Sequence, residues 1–138
     1  MKSLLKLEEL AQFLVCVAAL AWNDVPWWTY LLLLLGPDIG MLGYLVNTCV
    51  GAITYNLLHH KGLAILVAAG ALGSEAVNML TGAPSFAPAV LLTSIILYGH
   101  ACLDRMLGYG LKFGDDFHHT HLGWIGKLKD RNGSGPVT

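Results

Sequence analysis

The side chains able to do chemistry in this chain sit inside its apolar runs. Asp38 falls in WWTYLLLLLGPDIGMLGYLV, Asn56 with His59, His60 and Lys61 in VGAITYNLLHHKGLAILVAAGA, and His100 with Asp104 in VLLTSIILYGHACLDRMLGYG. Ionisable groups at membrane depth are costly and as a rule face a partner or a cavity. Imidazole nitrogens and carboxylate oxygens are ligands for divalent ions. Three separate hydrophobic segments that each bring such a group point to a shared polar site between helices.

The spacings sharpen this. His100 and Asp104 stand at i, i+4, one turn apart on one helix face. Such a pair can bind a metal, or the carboxylate can orient the imidazole, or the two can hydrogen-bond helices together. Tyr55 shares a face with His59, and Asn56 with His60. Adjacent histidines point about 100° apart on a helix, so only one of His59 and His60 is expected to enter a given site, and the spacing does not say which. Gly36-Pro37-Asp38 interrupts an apolar run, and Pro37 removes a backbone donor and kinks a helix there. The freed carbonyls must be satisfied within protein or by water. Alternatively, Asp38 acts as a local cap. Arg105, next to Asp104, is a candidate to pair a carboxylate or stabilise a substrate anion. Farther on, Phe117-His118-His119-Thr120-His121 offers a metal clamp, a lid or a solvated surface. His119 and His121 are the acid–base candidates, since imidazole titrates near neutral pH.

The elements that must position these groups are helices. Charged residues are 12% of the 138, and the mean hydropathy is +0.59, about half the charge of a soluble domain. Runs of about 20 apolar residues span a bilayer. Four can be drawn: Leu4 to Trp22, Trp27 to Val46, Val50 to Leu72 with a possible extension towards Leu80, and Ala87 to Tyr109. Trp27, Trp28 and Tyr30 read as an interfacial belt. Lys2 and Lys6 flank the first run, and Lys112, Lys127, Lys129 and Arg131 follow the fourth. The excess of Lys and Arg at these ends places both termini in the cytoplasm. Lys61 does not fit that count: it snorkels, joins the polar site, or marks a break in the third run. With these ends, Asp38, His59 and His100 all fall about 12–14 Å from the cytoplasmic helix ends, and Asp104 one turn closer.

The expected fold is all-α, a polytopic bundle of four transmembrane helices. Residues 1–112 form the membrane domain and 113–138 a polar His-rich tail whose end, RNGSGPVT, reads as disordered. No small-residue cleavage site follows the N-terminal run, which reads as a retained helix. Cys16, Cys49 and Cys102 are far apart without a CxxC, and read as buried thiols. There is no GxSxG, Walker A, HExxH or haem CxxCH motif. Carboxylates are too few for a di-iron bundle. The net charge of −1 gives no reason to propose nucleic acid as a partner.

At GPDIGMLGYLVN, GAITYNLLHHK and GHACLDRMLGYGLKF…HHTHLGWIGK the chain resembles the DUF4260 family of small bacterial membrane proteins, from about Lys6 to Lys127. The resemblance implies that Pro37, Asp38, Asn56, His59, His60, His100, Asp104, Arg105, His119 and His121 occupy family motif positions. It implies the bacterial cytoplasmic membrane as location, and no activity. A looser likeness is to the DUF457 proteins, labelled membrane-bound metal-dependent hydrolases. These also place a Pro-Asp pair, a histidine motif and a later HxxxD in that order. This chain departs from them in the middle, with Asn-Leu-Leu-His-His and a single Asp after Pro37.

Together these features predict a membrane-embedded metal-dependent enzyme, a hydrolase acting on a lipidic or amphiphilic substrate. Asp38, one or both of His59 and His60, His100 and Asp104 would hold one divalent ion, zinc first, which lowers the pKa of a bound water. Membrane lipids are the expected partners, and a homo-oligomer is possible. A proton or metal-ion pathway, or a non-catalytic scaffold, are the alternatives.

Overall fold

The protein is described here from a computed structural model covering residues 2–82 and 84–126. The predicted tail end RNGSGPVT and Lys127, Lys129 and Arg131 lie outside the described residues. The chain forms α1 (Lys2–Trp22), α2 (Trp28–Leu35), a 3-10 helix (Pro37–Leu45), α3 (Thr48–His59), α4 (Lys61–Thr81) and α5 (Ala87–Leu107), then a small hairpin of β1 (His119–Thr120) and β2 (Gly123–Trp124). Apart from that hairpin, the regular elements are helical.

Helix α5 is the central post. α1 and α4 pack along it, α2 and the 3-10 helix touch it, and α3 lies against the 3-10 helix. Close approach of α5 to its neighbours depends on Gly99, where a Cβ would stand 2.7 Å from Leu33 Cδ1 and 3.0 Å from Cys16 Cβ. Gly40 does the same for the 3-10 helix, since a Cβ there would meet the Thr54 carbonyl oxygen at 2.8 Å. Thr54 Oγ1 donates to the Gly40 carbonyl at 2.6 Å across that contact.

α4 and α5, 21 residues each, are long and apolar enough to cross a membrane; at 1.5 Å per residue each reaches about 31 Å, the hydrocarbon thickness. α2 and the 3-10 helix, bent by 45° at Gly36, make a third span if taken as one. α1 also has 21 residues, but Lys2, Lys6, Glu8 and Glu9 crowd its first turns. The third apolar run does not continue unbroken from Val50 to Leu72. It breaks at His60, whose backbone is extended (φ −88°, ψ 106°) and whose ring Nδ1 accepts the Leu63 N–H at 3.2 Å. A side-chain acceptor for a free N–H at a helix start is what a cap supplies. Lys61 thus opens α4 instead of sitting in mid-span. All three cysteines are free; Cys16 and Cys102 are buried, whereas Cys49 is exposed and does not fit the expected buried thiol. Large apolar side chains such as Val15, Leu66 and Leu80 face outward, as a bilayer permits.

Candidate metal centre

Pro37 has no N–H, so the Leu33 carbonyl, four residues back at the end of α2, loses its helical donor. His100 on α5 takes that carbonyl: its Nδ1 lies 2.9 Å from Leu33 O. His59, the last residue of α3, has Nδ1 2.8 Å from its own Tyr55 carbonyl. A carbonyl oxygen only accepts, so in both rings Nδ1 carries the hydrogen and, in the neutral imidazole, Nε2 bears the lone pair.

Both Nε2 atoms are buried and have no hydrogen-bond partner. What they face is carboxylate oxygen. His59 Nε2 is 3.6 Å from Asp38 Oδ1 and 3.3 Å from Asp104 Oδ2. His100 Nε2 is 3.5 Å from Asp38 Oδ1 and 3.8 Å from Asp104 Oδ1. Lone pairs facing anionic oxygens repel, and every separation exceeds the roughly 2.7–3.2 Å of an N–H···O bond. A cation between them removes the conflict. Ligands about 2.0–2.2 Å from a tetrahedral centre sit roughly 3.3–3.6 Å from one another; three of these four separations fall in that range and the fourth is 3.8 Å. One ligand atom from each of Asp38, His59, His100 and Asp104 lies within 4.8 Å of the other three. The four groups can therefore hold a metal ion.

Neighbouring groups hold Asp104 and the two rings. The Tyr55 hydroxyl donates to Asp104 Oδ2, and its ring stacks on His59 at 3.7 Å between centroids. The His59 and His100 rings meet edge to face at 4.9 Å. Asn56, beside Tyr55, clamps the C-terminal segment: its Nδ2 donates to the Lys112 carbonyl at 2.8 Å, and its Oδ1 accepts the Lys112 N–H at 2.7 Å. Lys112 is itself buried. Its ammonium donates to the Phe117 carbonyl at 2.9 Å and lies 3.7 Å from the Phe117 ring centre and 5.0 Å from that of Tyr55. Burial pushes the Lys112 pKa down, while Asp104 and Asp38 push it back up.

Not every residue singled out in the sequence joins the cluster. Of the adjacent histidines, His59 enters and His60 caps α4. Arg105 turns to another face of α5, where Nη1 is 4.0 Å from Glu9 Oε1. His119 Nδ1 is 2.7 Å from Asp115 Oδ2, and its ring stacks on Trp124; the His119 hydrogen bond holds the Asp115 carboxyl below its usual range. His121 Nδ1 accepts the Leu111 N–H at 2.8 Å. Tyr55 and Lys112 were not picked out as site residues from sequence. The i, i+4 spacing of Tyr55 to His59 is the signal that finds the first, and none comparable marks Lys112.

The sequence profile of DUF4260, a domain of unknown function, matches residues 2–125. The chain belongs to the DUF4260 family. No curated protein and no solved structure gives a match. For this DUF4260 chain the site itself is the source of a functional reading.

Proposed function

We propose that the protein is a metal-dependent hydrolase of the bacterial cytoplasmic membrane, with four helical membrane segments and both termini cytoplasmic, acting on a lipidic or amphiphilic substrate. The observation that carries the reading is the pair of buried, partnerless Nε2 atoms aimed at two carboxylates. His59, His100 and Asp104 would hold the ion, zinc first, with Tyr55 orienting Asp104. Asp38 is the most open of the four, its side chain 35% exposed against 14% for Asp104. It would be the ligand nearest an entering substrate. A bound divalent ion supplies Lewis-acid activation of water near neutral pH. His119, its Nδ1 engaged by Asp115, and His121, its Nδ1 accepting from the backbone, each keep Nε2 for proton transfer. The order Pro37-Asp38, His59 and His100/Asp104 shared with the DUF457 proteins supports hydrolysis by analogy only. Outward apolar side chains support lipid contact, and the exposed Trp22 and Trp27 suit the interface away from Lys2 and Lys6.

The test is the metal content of untagged, detergent-purified protein beside His100→Ala and Asp104→Ala. The expected result is near-stoichiometric metal in the parent and loss in both folded variants, with chelator-sensitive hydrolysis in a screen of lipid esters and phosphoesters. Protein that takes up neither zinc nor iron would sink the metal reading. Metal without any hydrolysis would remove the hydrolase and favour an ion or proton pathway.

A further inference from the structure

Charge is divided unevenly between the two ends of the bundle. Among the described residues every lysine and arginine belongs to one end: Lys2 and Lys6 lie in the first turns of α1, Lys61 opens α4, and Arg105 and Lys112 stand at and just beyond the close of α5. The opposite end carries Asp24, just past α1, and Glu75, in the second half of α4. Glu75 is half-buried and sits about 9 Å inside the end of its helix, at 1.5 Å per residue. Lys61, the cation of the same helix, is about 21 Å away along it. Among the described residues the hydrogen-bond partner of Glu75 is the Ser85 hydroxyl, which donates to Oε2 and accepts the Ala87 N–H at 3.2 Å. No cation faces this carboxylate, and Oε1 is left over.

Glu75 lines a groove of about 660 Å³ between the end of α1, the second half of α4 and the first turns of α5. The walls are apolar, with Leu20, Leu91, Leu92 and Ile95, and the other polar side chain in the lining is Asn23. Asn23 Nδ2 donates to the Ala19 carbonyl at 2.8 Å, which leaves its Oδ1 as an acceptor. Both polar side chains of the groove therefore present oxygen acceptors, one of them anionic. The size and the make-up, apolar walls with a few polar groups, are those of a small-molecule site of roughly 300–1,000 Å³. α4 is long and apolar enough to cross a membrane, and a carboxylate within such a helix calls for a partner.

We propose that this groove binds a small lipophilic organic cation of the quaternary ammonium class. Glu75 faces the positive charge, and Leu20, Leu91 and Ile95 cover the hydrocarbon around it. A charge enclosed by its own carbon substituents gives up no hydrogen bonds to water on entry, so it escapes the desolvation cost of a bare polar group. The apolar walls in turn strengthen its attraction to a single carboxylate. An amine-bearing phospholipid fits less well, because its phosphate would meet Asp24 and Glu75 with no lysine or arginine at this end to hold it. The groove stands apart from the metal cluster and does not depend on it.

Titration calorimetry of the full chain in a neutral detergent tests this, with tetraphenylphosphonium as the cation and triphenylphosphine oxide as a neutral compound of similar shape. The heat of each compound entering empty micelles is subtracted. The expected result is saturable binding of the phosphonium, about tenfold tighter than the oxide. Glu75→Gln, which keeps an acceptor for Ser85, brings the phosphonium down to the oxide, and Glu75→Asp retains part of the preference. Ala89→Trp, at an exposed groove position, weakens both compounds alike. Unchanged helicity and elution establish that each variant is folded. No saturable binding, equal binding of the two compounds, or a preference that survives Glu75→Gln overturns the proposal. Phosphatidylethanolamine displacing the phosphonium at equal concentration makes a lipid the occupant and overturns it as well.

Discussion

Two faces of α5 hold buried polar groups, and they are built on opposite rules. On one, Lys61, Glu9, Gln12 and Tyr98 close on one another, ammonium to carboxylate and hydroxyl to amide oxygen. On the other, His59 and His100 spend their hydrogens on backbone carbonyls and turn bare lone pairs toward Asp38 and Asp104. The first is complementary as it stands and so stabilises the bundle. The second has acceptors facing acceptors and is complementary only to something positive. Polarity among apolar helices is common to both; donor–acceptor matching separates structural glue from a candidate functional site.

The largest effect should come from breaking the matched face. Lys61→Met leaves Glu9 without its ammonium, and a loss of about 2–3 kcal/mol is expected, below the range for fully buried pairs because Glu9 keeps some exposure. Thermal unfolding in detergent reads it. Asp38→Asn in metal-free protein should do the reverse, holding or raising the unfolding midpoint because one anion leaves the unmatched face. A drop equal to that of Lys61→Met would erase the contrast.

Next in size is the layer behind the ligands. Tyr55→Phe removes the hydroxyl that orients Asp104 and should weaken metal binding by about 10–100-fold, measured by competition with a chromogenic chelator. Pro37→Ala returns an N–H that competes with His100 for the Leu33 carbonyl. A loss of about tenfold is expected there, and unchanged affinity would show that the freed carbonyl does not set the ring.

The smallest effect belongs to the hairpin. Asp115 is depressed by its bond from His119, so the contribution of that pair is present above the ordinary carboxylate pKa of about 3.9 and lost as pH falls through the lower folded value. Its carboxyl shift, followed by NMR, should titrate below that ordinary value and return to it in His119→Ala.

Much of the cluster was legible because ionisable residues are conspicuous in apolar runs. Asp38, His100 and Asp104 stood out by type, and Gly36-Pro37 announced the bend that is 45° in the structure. His59 and His60 could not be separated, since helical geometry turns them about 100° apart without saying which way the helix faces. The break that decides it is made by His60 capping α4. A break in the third run is one of three readings that Lys61 allows, and leucines and alanines on both sides mask an interruption of the single residue His60. The partner of Arg105 was out of reach, since Glu9 lies on α1, 96 positions earlier by residue number.

The sequence by itself determined the solvent and the chemistry. Its apolar runs commit most of the chain to helices that bury their side chains or turn them outward to an apolar surrounding, and its few imidazoles and carboxylates define which ligands are at hand. Only the tertiary structure decided which nitrogen of each ring stays free and what it faces. That choice turns on a carbonyl released by Pro37 and taken by His100, 67 residues from Leu33 along the chain. A hydrogen bond between elements so far apart exists only once α2 and α5 have packed.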